Sequence, residues 1–345
     1  MAKVNRAAYR VYHSMPDTRT VAAWSDLCLN SPFATAYVTP SYFSDPYAGN
    51  GRFAVLAEQD GEFTAAVTGV VQNGRLTAGL FSRPQMIFRS GIDRKAAFAA
   101  LSEGMIDACG DDGTLIEAFS FEALDEKDAD NMKVRGGTDD ESVVMLDLSA
   151  GAEKLFSGFS QTRRSEIRKA ERSGKLEVRE LETETELQEL YAIYCEWNLR
   201  KGIEPAGLEL MKMAAAQNDC RRIIIAKLDG HTIAGSFYRF ARGGVVEYAS
   251  NYSTLEHQKL RPNDLIGWHA IKWACDNGYS HFSMGGSHLF LRRFGGEIVR
   301  TYRYRRDISR FRVHEIRESA RALSAAAYGR MPAFVKDRMK KVLAK

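Results

Sequence analysis

Apolar and polar positions alternate in short runs along this chain, and the runs are punctuated by Asp-Gly, Asn-Gly and Gly-Gly pairs. A two-residue period places alternate side chains on opposite faces of a strand, and Asp-Gly supplies the positive φ angles of a tight hairpin turn. In the first half the pattern predicts a hairpin of Arg52–Gln59 and Glu62–Gln72 around Asp60-Gly61, then a turn at Asn73-Gly74 into a third strand, Arg75–Phe81. Asp17 is positioned to cap a helix running to about Cys28. A second helix, Asp93–Cys109, leads to strands at Thr114–Phe121 and, past the acidic loop Asp125–Asp130, at Ser142–Leu148.

The second half predicts the same order. A basic helix through Phe156–Arg172 precedes a strand, Leu176–Glu182, and helices at Glu184–Lys201 and Ala206–Gln217. Arg222–Leu228 and His231–Phe240 pair around Asp229-Gly230, and Gly243-Gly244 turns into Val245–Tyr252. A helix at Asn263–Asn277 stops at Gly278, and strands follow at His281–Met284 and Arg300–Arg306. The two Asp-Gly turns lie 169 residues apart, and at that offset Ala57 matches Ala226 and Ala65 matches Ala234. This predicts two copies of one α/β unit with a mixed sheet, over 1–150 and 151–312, and a basic amphipathic helical tail over 313–345.

Length agrees: 345 residues make about two domains at roughly 150 residues each. The longest apolar run is six residues, Ala96–Leu101, against the ~20 a membrane helix needs. No apolar h-region follows Lys3 and Arg6, so no secretory signal is expected. Five cysteines, an odd number without C-x-x-C spacing, argue against a disulfide framework and a zinc site and fit a reducing cytoplasm.

Charge separates the copies. Residues 1–150 hold 13 Lys/Arg and 21 Asp/Glu, and the remainder holds 35 and 23, so a net +4 is the sum of −8 and +12. The excess concentrates in Gln161–Lys175, in Arg292–Arg312 and in the tail, which has eight basic and three acidic residues. Each cluster alone fits a solvated face; together they suggest a phosphate-bearing ligand, nucleic acid or an anionic lipid surface. The tail is either a helix docked over the core or a peripheral membrane attachment.

Four segments of the second half carry a family resemblance. They are the basic helix Arg163-Arg164-Ser165-Glu166-Ile167-Arg168-Lys169, the helix opening after a proline at Pro262-Asn263-Asp264-Leu265, the aromatic strand ending in glycines at Tyr279–Ser287, and Phe290-Leu291-Arg292-Arg293-Phe294-Gly295-Gly296. With the order strand, two helices, three antiparallel strands, helix, strand, strand, they resemble a GNAT acyltransferase domain. Two such domains in one chain resemble the FemAB family of aminoacyl and acyl transferases. The likeness covers about residues 153–306, and the first half shares only the element order. It implies an α/β fold of two tandem GNAT-like domains, each a mixed, mostly antiparallel sheet flanked by helices. It also implies transfer of an acyl or aminoacyl group to an amine of a small molecule, amino sugar or peptide, from acyl-CoA or aminoacyl-tRNA as co-substrate, with no tightly bound cofactor. Two segments depart from the family pattern. GNAT enzymes that use coenzyme A usually carry [QR]-x-x-G-x-[GA] before this helix; here Gln258 is present but Arg261 and Asn263 stand at the glycine positions. Where the family often has a Lys between the two phenylalanines, this chain has Leu291, Arg292 and Arg293.

Acyl transfer to an amine needs a base for the amine, donors for the carbonyl oxygen and a means of holding both reactants. On Val245–Tyr252, alternation puts Glu247 and Asn251 on one face and Tyr248, Ser250 and Tyr252 on the other. Glu247 is either the general base or a partner for Arg239 across the hairpin. Tyr248, Asn251 and His288 are the other catalytic candidates. Gln258, Arg261, Asn263 and Asp264 are candidates for the donor site at a helix N-terminus, with N-capping the simpler reading of Asn263 or Asp264. Arg163, Arg164, Arg168, Lys169, Arg292 and Arg293 are candidates for an acceptor phosphate or a tRNA, or else pair with Glu166 and Glu171. His269 and the cysteines read as packed core, and Ser287 lacks a G-x-S-x-G context. A non-catalytic module binding RNA or an anionic membrane is the alternative reading of the whole chain.

Overall fold

The computed structural model describes residues 8–330. Its first half runs β1 (Ala8–Tyr12), α1 (Thr18–Leu29), β2 (Arg52–Gln59), β3 (Glu62–Gln72), β4 (Arg75–Leu80), β5 (Arg83–Pro84), β6 (Met86–Phe88), α2 (Arg94–Cys109), β7 (Leu115–Ser120), β8 (Lys133–Gly136) and β9 (Val143–Asp147). The second half runs α3 (Ala152–Gly158), α4 (Gln161–Ser173), β10 (Leu176–Glu180), α5 (Glu184–Arg200), α6 (Leu208–Ala215), β11 (Arg221–Leu228), β12 (His231–Phe240) and β13 (Val245–Ser253). It ends with α7 (Pro262–Asp276), β14 (His281–Ser283), α8 (Leu289–Arg292), β15 (Glu297–Val299), β16 (Tyr302–Asp307) and α9 (Val313–Arg330). Residues 331–345, the end of the expected tail, lie outside the described residues.

Local signals set the ends of these elements. The Asp17 carboxylate accepts the Thr20 N–H at 3.0 Å and starts α1. Asp60 and Asp229 adopt φ of 52° and 50°, each followed by a glycine at 84° or 85°, which are the two left-handed residues of a tight hairpin. The helix expected over Phe156–Arg172 is two helices. Phe159 is extended and fully buried, and the Ser160 hydroxyl accepts the Arg163 N–H to begin α4.

The strands form two sheets of one design. The first runs β1-β2-β3-β4-β7-β16-β8 and the second β10-β11-β12-β13-β14-β9-β15. In each, the first four strands are antiparallel neighbours and the fifth is parallel to the fourth. The likeness reaches an irregularity: β2–β3 shifts register between Ala57 and Glu58, and β11–β12 between Ala226 and Lys227, at the same 169-residue offset. β1 was not anticipated from the sequence; it pairs with β2 as β10 pairs with β11.

The sixth strand of each sheet comes from the other half. β16 pairs antiparallel with β7 in the first sheet, and β9 pairs antiparallel with β14 in the second. Cuts at 150 and 312 therefore do not separate the sheets. The parallel fifth strand presents an unpaired row of backbone groups that must be covered, and in both sheets the exchanged strand covers it. Tyr304 of β16 is fully buried in the first core with Phe53, Phe98 and Leu101, and its hydroxyl donates to the Glu122 carbonyl at 2.7 Å. The second core gathers Phe159, Tyr238, Ile271, Phe282 and Phe294 between the second sheet, α4 and α7.

The halves also touch through Gly243-Gly244. The Val245 N–H donates to the Ala34 carbonyl at 2.8 Å, and a Cβ on Gly244 would lie 2.4 Å from that oxygen. The pair thus permits close backbone approach as well as a turn.

Candidate active site

β13 and β14 run side by side only from Val245↔His281 to Glu247↔Ser283. Gly285, at φ 71°, then turns the chain, and a Cβ there would lie 2.8 Å from the Tyr248 carbonyl oxygen. From Tyr248 onward, β13 has no ladder partner on this side. Its other side is also irregular: Phe237 faces Ser250 while Tyr238 faces Tyr248, so Ala249 is an extra, bulged residue.

The bulge corrects the expected faces. Glu247, Ser250 and Tyr252 stand opposite Arg239, Phe237 and Gly235 on one face, and Tyr248, Asn251 and Ser253 stand opposite Tyr238, Ser236 and Ala234 on the other. A one-residue insertion inverts the alternation beyond it. Tyr252 accordingly packs edge-on against Tyr194 and Trp197 of α5, whereas Tyr248 packs against Tyr238 in the second core, where burial pushes its hydroxyl up to about 12.

Glu247 is only 6% exposed and lies where β13 and β14 part. It stands opposite Arg239 in register, but its ion pair is with Arg83 of the first half, Nε to Oε1 at 2.8 Å. Its Oε2 is buried without a hydrogen-bond partner. The carboxylate raises Arg83 above its ordinary range, and burial followed by the Glu247 charge raises the Tyr37 phenol. Arg239 donates to the Tyr37 hydroxyl and lies 4.9 Å from its ring centroid. Beside them Arg221 pairs with Asp45 at 2.7 Å and sits 5.5 Å from the Tyr47 ring. The first half thus supplies Tyr37, Asp45, Tyr47 and Arg83 to a polar cluster around Glu247. The sequence signal for Tyr37, Asp45 and Tyr47 is limited to an aromatic, proline-bearing stretch, Tyr37–Tyr47, and Arg83 has none.

On the other side of β13, a cavity of about 190 Å³ is lined by Ser253, Gln258, Arg261, Pro262, Asn263, Asp264 and Phe290. Arg261 takes the left-handed conformation, φ 60°, that a glycine would adopt. Its side chain leaves the cavity and binds Glu166 of α4 at 2.6 Å. Asn263 donates to the Ser253 hydroxyl at 3.2 Å, and its Oδ1 is buried without a partner. Few amides face the cavity. Pro262 has no N–H, and the N–H groups of Arg261 and Asp264 are used within the turn, to the carbonyls of Gln258 and Arg261.

Residues 157–306 match the family model described as acetyltransferase (GNAT) domain. FemX superposes with a TM-score of 0.66 at 12% identity, over 86% of this chain and 97% of FemX. The fold is a FemAB-like tandem GNAT fold. The C-terminal domain of a putative lysylphosphatidylglycerol synthetase from Agrobacterium fabrum gives a TM-score of 0.57 at 12% identity, over 90% of this chain and 95% of that one. L-PGS from Bacillus licheniformis gives 0.56 at 14%, over 88% and 96%. No curated protein matches the sequence.

Within the GNAT domain the expected residues divide. Glu247, Tyr248 and Asn251 lie on β13 beside its unpaired edge, and Gln258, Arg261 and Asn263 line the small cavity. Asp264 also borders that cavity, but its carboxylate, like the Arg163 guanidinium, is turned into the interior. The two residues are 4% and 3% exposed and pair with each other. The Arg163 guanidinium lies 4.4 and 4.2 Å from the Phe290 and Phe294 ring centroids and donates to the Phe290 carbonyl at 2.9 Å. It fastens α4 to the start of α7, so an incoming phosphate would not reach it. Arg164 is turned inward to the Ser157 and Phe159 carbonyls. Arg168 and Lys169 are exposed and carry no ion pair among the described residues. His288 is exposed at the start of α8, its ring 6.3 Å from Phe290. Arg292 donates to the Ser287 carbonyl, and the Arg293 carbonyl accepts the Ser160 N–H at 2.9 Å, so both brace the start of α4 and the α8 turn.

Proposed function

We propose that this chain is an N-acyltransferase whose chemistry occurs where β13 and β14 part. The observation that carries the reading is a buried carboxylate, Glu247, with one free oxygen, beside a strand edge whose amides are not used in a ladder. A donor carbonyl lies against that edge, whose N–H groups stabilise the developing oxyanion. Glu247 takes the proton from the acceptor ammonium. The amine nitrogen attacks the carbonyl carbon, the C–N bond forms, the bond to the leaving oxygen or sulfur breaks, and the leaving group takes up a proton. The acceptor enters between the halves, past Tyr37, Tyr47 and Arg239, since ligand sites favour domain interfaces.

The donor we propose is an aminoacyl-tRNA. The cavity at α7 is poor in free amides, which disfavours a pyrophosphate grip, while Arg168, Lys169 and Arg172 on α4 and the nearby Lys259 form no ion pair among the described residues. These side chains line open grooves on either side of α4. An acyl-CoA donor is the second reading, favoured by the left-handed turn at Arg261 after Gln258. Incubation with labelled aminoacyl-tRNAs and with acyl-CoA species, each with amine acceptors, tests both. Amide product from the first is expected. Product from acyl-CoA alone moves the donor to the second reading. Salt-dependent RNA binding without turnover of either donor replaces the enzyme with a binding module.

A further inference from the structure

Helix α9 lies along β16 with both its acidic residues paired to basic residues of β16 and β8. Glu318 pairs with Arg303 at 3.2 Å and with Arg305; Glu315 pairs with Lys133 at 3.2 Å, and its N–H donates to Asp307 Oδ2 at 2.8 Å. Three residues apart, these two glutamates share one face of the helix. Ile316 and Leu323, seven residues apart, share another and are 63% and 72% exposed. Phe311, just before the helix, is 69% exposed. Arg310 and Arg317 flank them, with Arg310 5.3 Å from the Phe311 ring centroid, while Arg312 pairs with Glu315 at 3.9 Å. A helix at a protein surface ordinarily turns its apolar side chains inward and its acids to water. Here Ile316 and Leu323 face water while the acids are engaged in ion pairs. Both acids of residues 310–330 are held in ion pairs, and among the described residues the face around Ile316 and Leu323 carries exposed apolar and arginine side chains.

Such a face needs a cover. RNA would engage the arginines and leave three apolar side chains in water. A second copy of the same face would set arginines against arginines. A lipid surface with anionic headgroups accepts both kinds of group at once. We propose that Phe311, Ile316 and Leu323 seat this protein peripherally on an anionic membrane surface, with Arg310 and Arg317 on the lipid phosphates. This reading stands independently of the acyl-transfer chemistry, because none of these residues lies at the parting of β13 and β14 or lines the cavity at α7.

Cosedimentation of the full chain with phosphatidylcholine vesicles containing about 30% phosphatidylglycerol tests it. Binding is expected to those vesicles and not to pure phosphatidylcholine, and to weaken as salt shortens the reach of the charges. Ile316→Ser with Leu323→Ser should lower the partition coefficient about tenfold or more, and Arg317→Gln about fivefold. All three positions are exposed, and unchanged far-UV circular dichroism confirms that the variants fold. Absence of binding, or binding that the double serine variant leaves unchanged, overturns the proposal. So does a dimer that the double variant dissolves, which assigns the face to self-association, or RNA binding without vesicle binding.

Discussion

At the residue scale, Glu247 separates two roles that its neighbours make distinct. As base, it is needed for the amine; as partner of Arg83, it joins the halves. Glu247→Gln keeps the shape and is expected to lower kcat by about 10²- to 10⁴-fold, the usual worth of a positioned base. Arg83→Met removes the ion pair but keeps the carboxylate, and should retain far more of kcat. Equal losses in the two variants would show that the pair, and not the base, matters. The buried pair Arg163–Asp264 gives the opposite expectation. Asp264→Ala leaves a guanidinium uncompensated among Phe290, Phe294 and the start of α7, and should cost about 3–5 kcal/mol in urea unfolding. Arg163→Met with Asp264→Leu removes both charges and should recover most of that loss. Tyr248 adds a pH dependence. Burial raises its hydroxyl from the ordinary 10 to about 12, so the folded protein holds this proton where the unfolded chain releases it. Its contribution is complete below pH ~10 and falls by up to ~1.4 kcal/mol per pH unit as pH rises toward 12. Denaturant titrations at rising alkaline pH should show a shallower decline in Tyr248→Phe. None of these partners could be read in sequence, since Glu247 and Arg83 are 164 positions apart and Arg163 and Asp264 are 101.

At the scale of elements, the legible features are those the chain specifies locally. Asp60-Gly61 and Asp229-Gly230 fix their hairpins because both turn residues must be left-handed, and few residue pairs do this at low cost. Asp17 marks its helix because a carboxylate at that position satisfies an otherwise orphan N–H. The bulge at Ala249 has no comparable signal. No glycine or proline marks it, and it exists only through the register with β12. Its consequence is large, because it turns Tyr252 toward α5 and Asn251 toward α7. Deleting Ala249 removes the extra residue and leaves Ser250, Asn251 and Tyr252 on the faces and in the register they already have, so Tyr252 should keep its contacts with Tyr194 and Trp197 and the near-UV circular dichroism of that aromatic group should persist. Inserting a second residue beside Ala249 should instead invert the faces beyond it and weaken that spectrum; a deletion variant that loses the spectrum would show that the strand had slipped in register against β12.

At the scale of the molecule, the exchange of β9 and β16 makes the duplication inseparable. The repeat was legible because both halves keep one element order and one hairpin offset. Strand ownership was not, because strands of five and six residues carry no local mark of which copy of a repeated edge they join, and the choice is made by distant contacts. Residues 1–150 alone would leave β7 uncovered and the apolar strand β9 without its sheet. Tyr304, which closes the first core, would be missing as well. Each half therefore requires the other, and the chain should unfold in urea as one cooperative unit although it contains two sheets. Trp24 is buried in the first half, and Trp197, Trp268 and Trp273 belong to the second. The fluorescence transition of a Trp24→Phe variant should share its midpoint with that of a variant keeping only Trp24, after each is corrected for its own stability by far-UV circular dichroism. Two separated transitions would show that the exchanged strands detach before the sheets unfold.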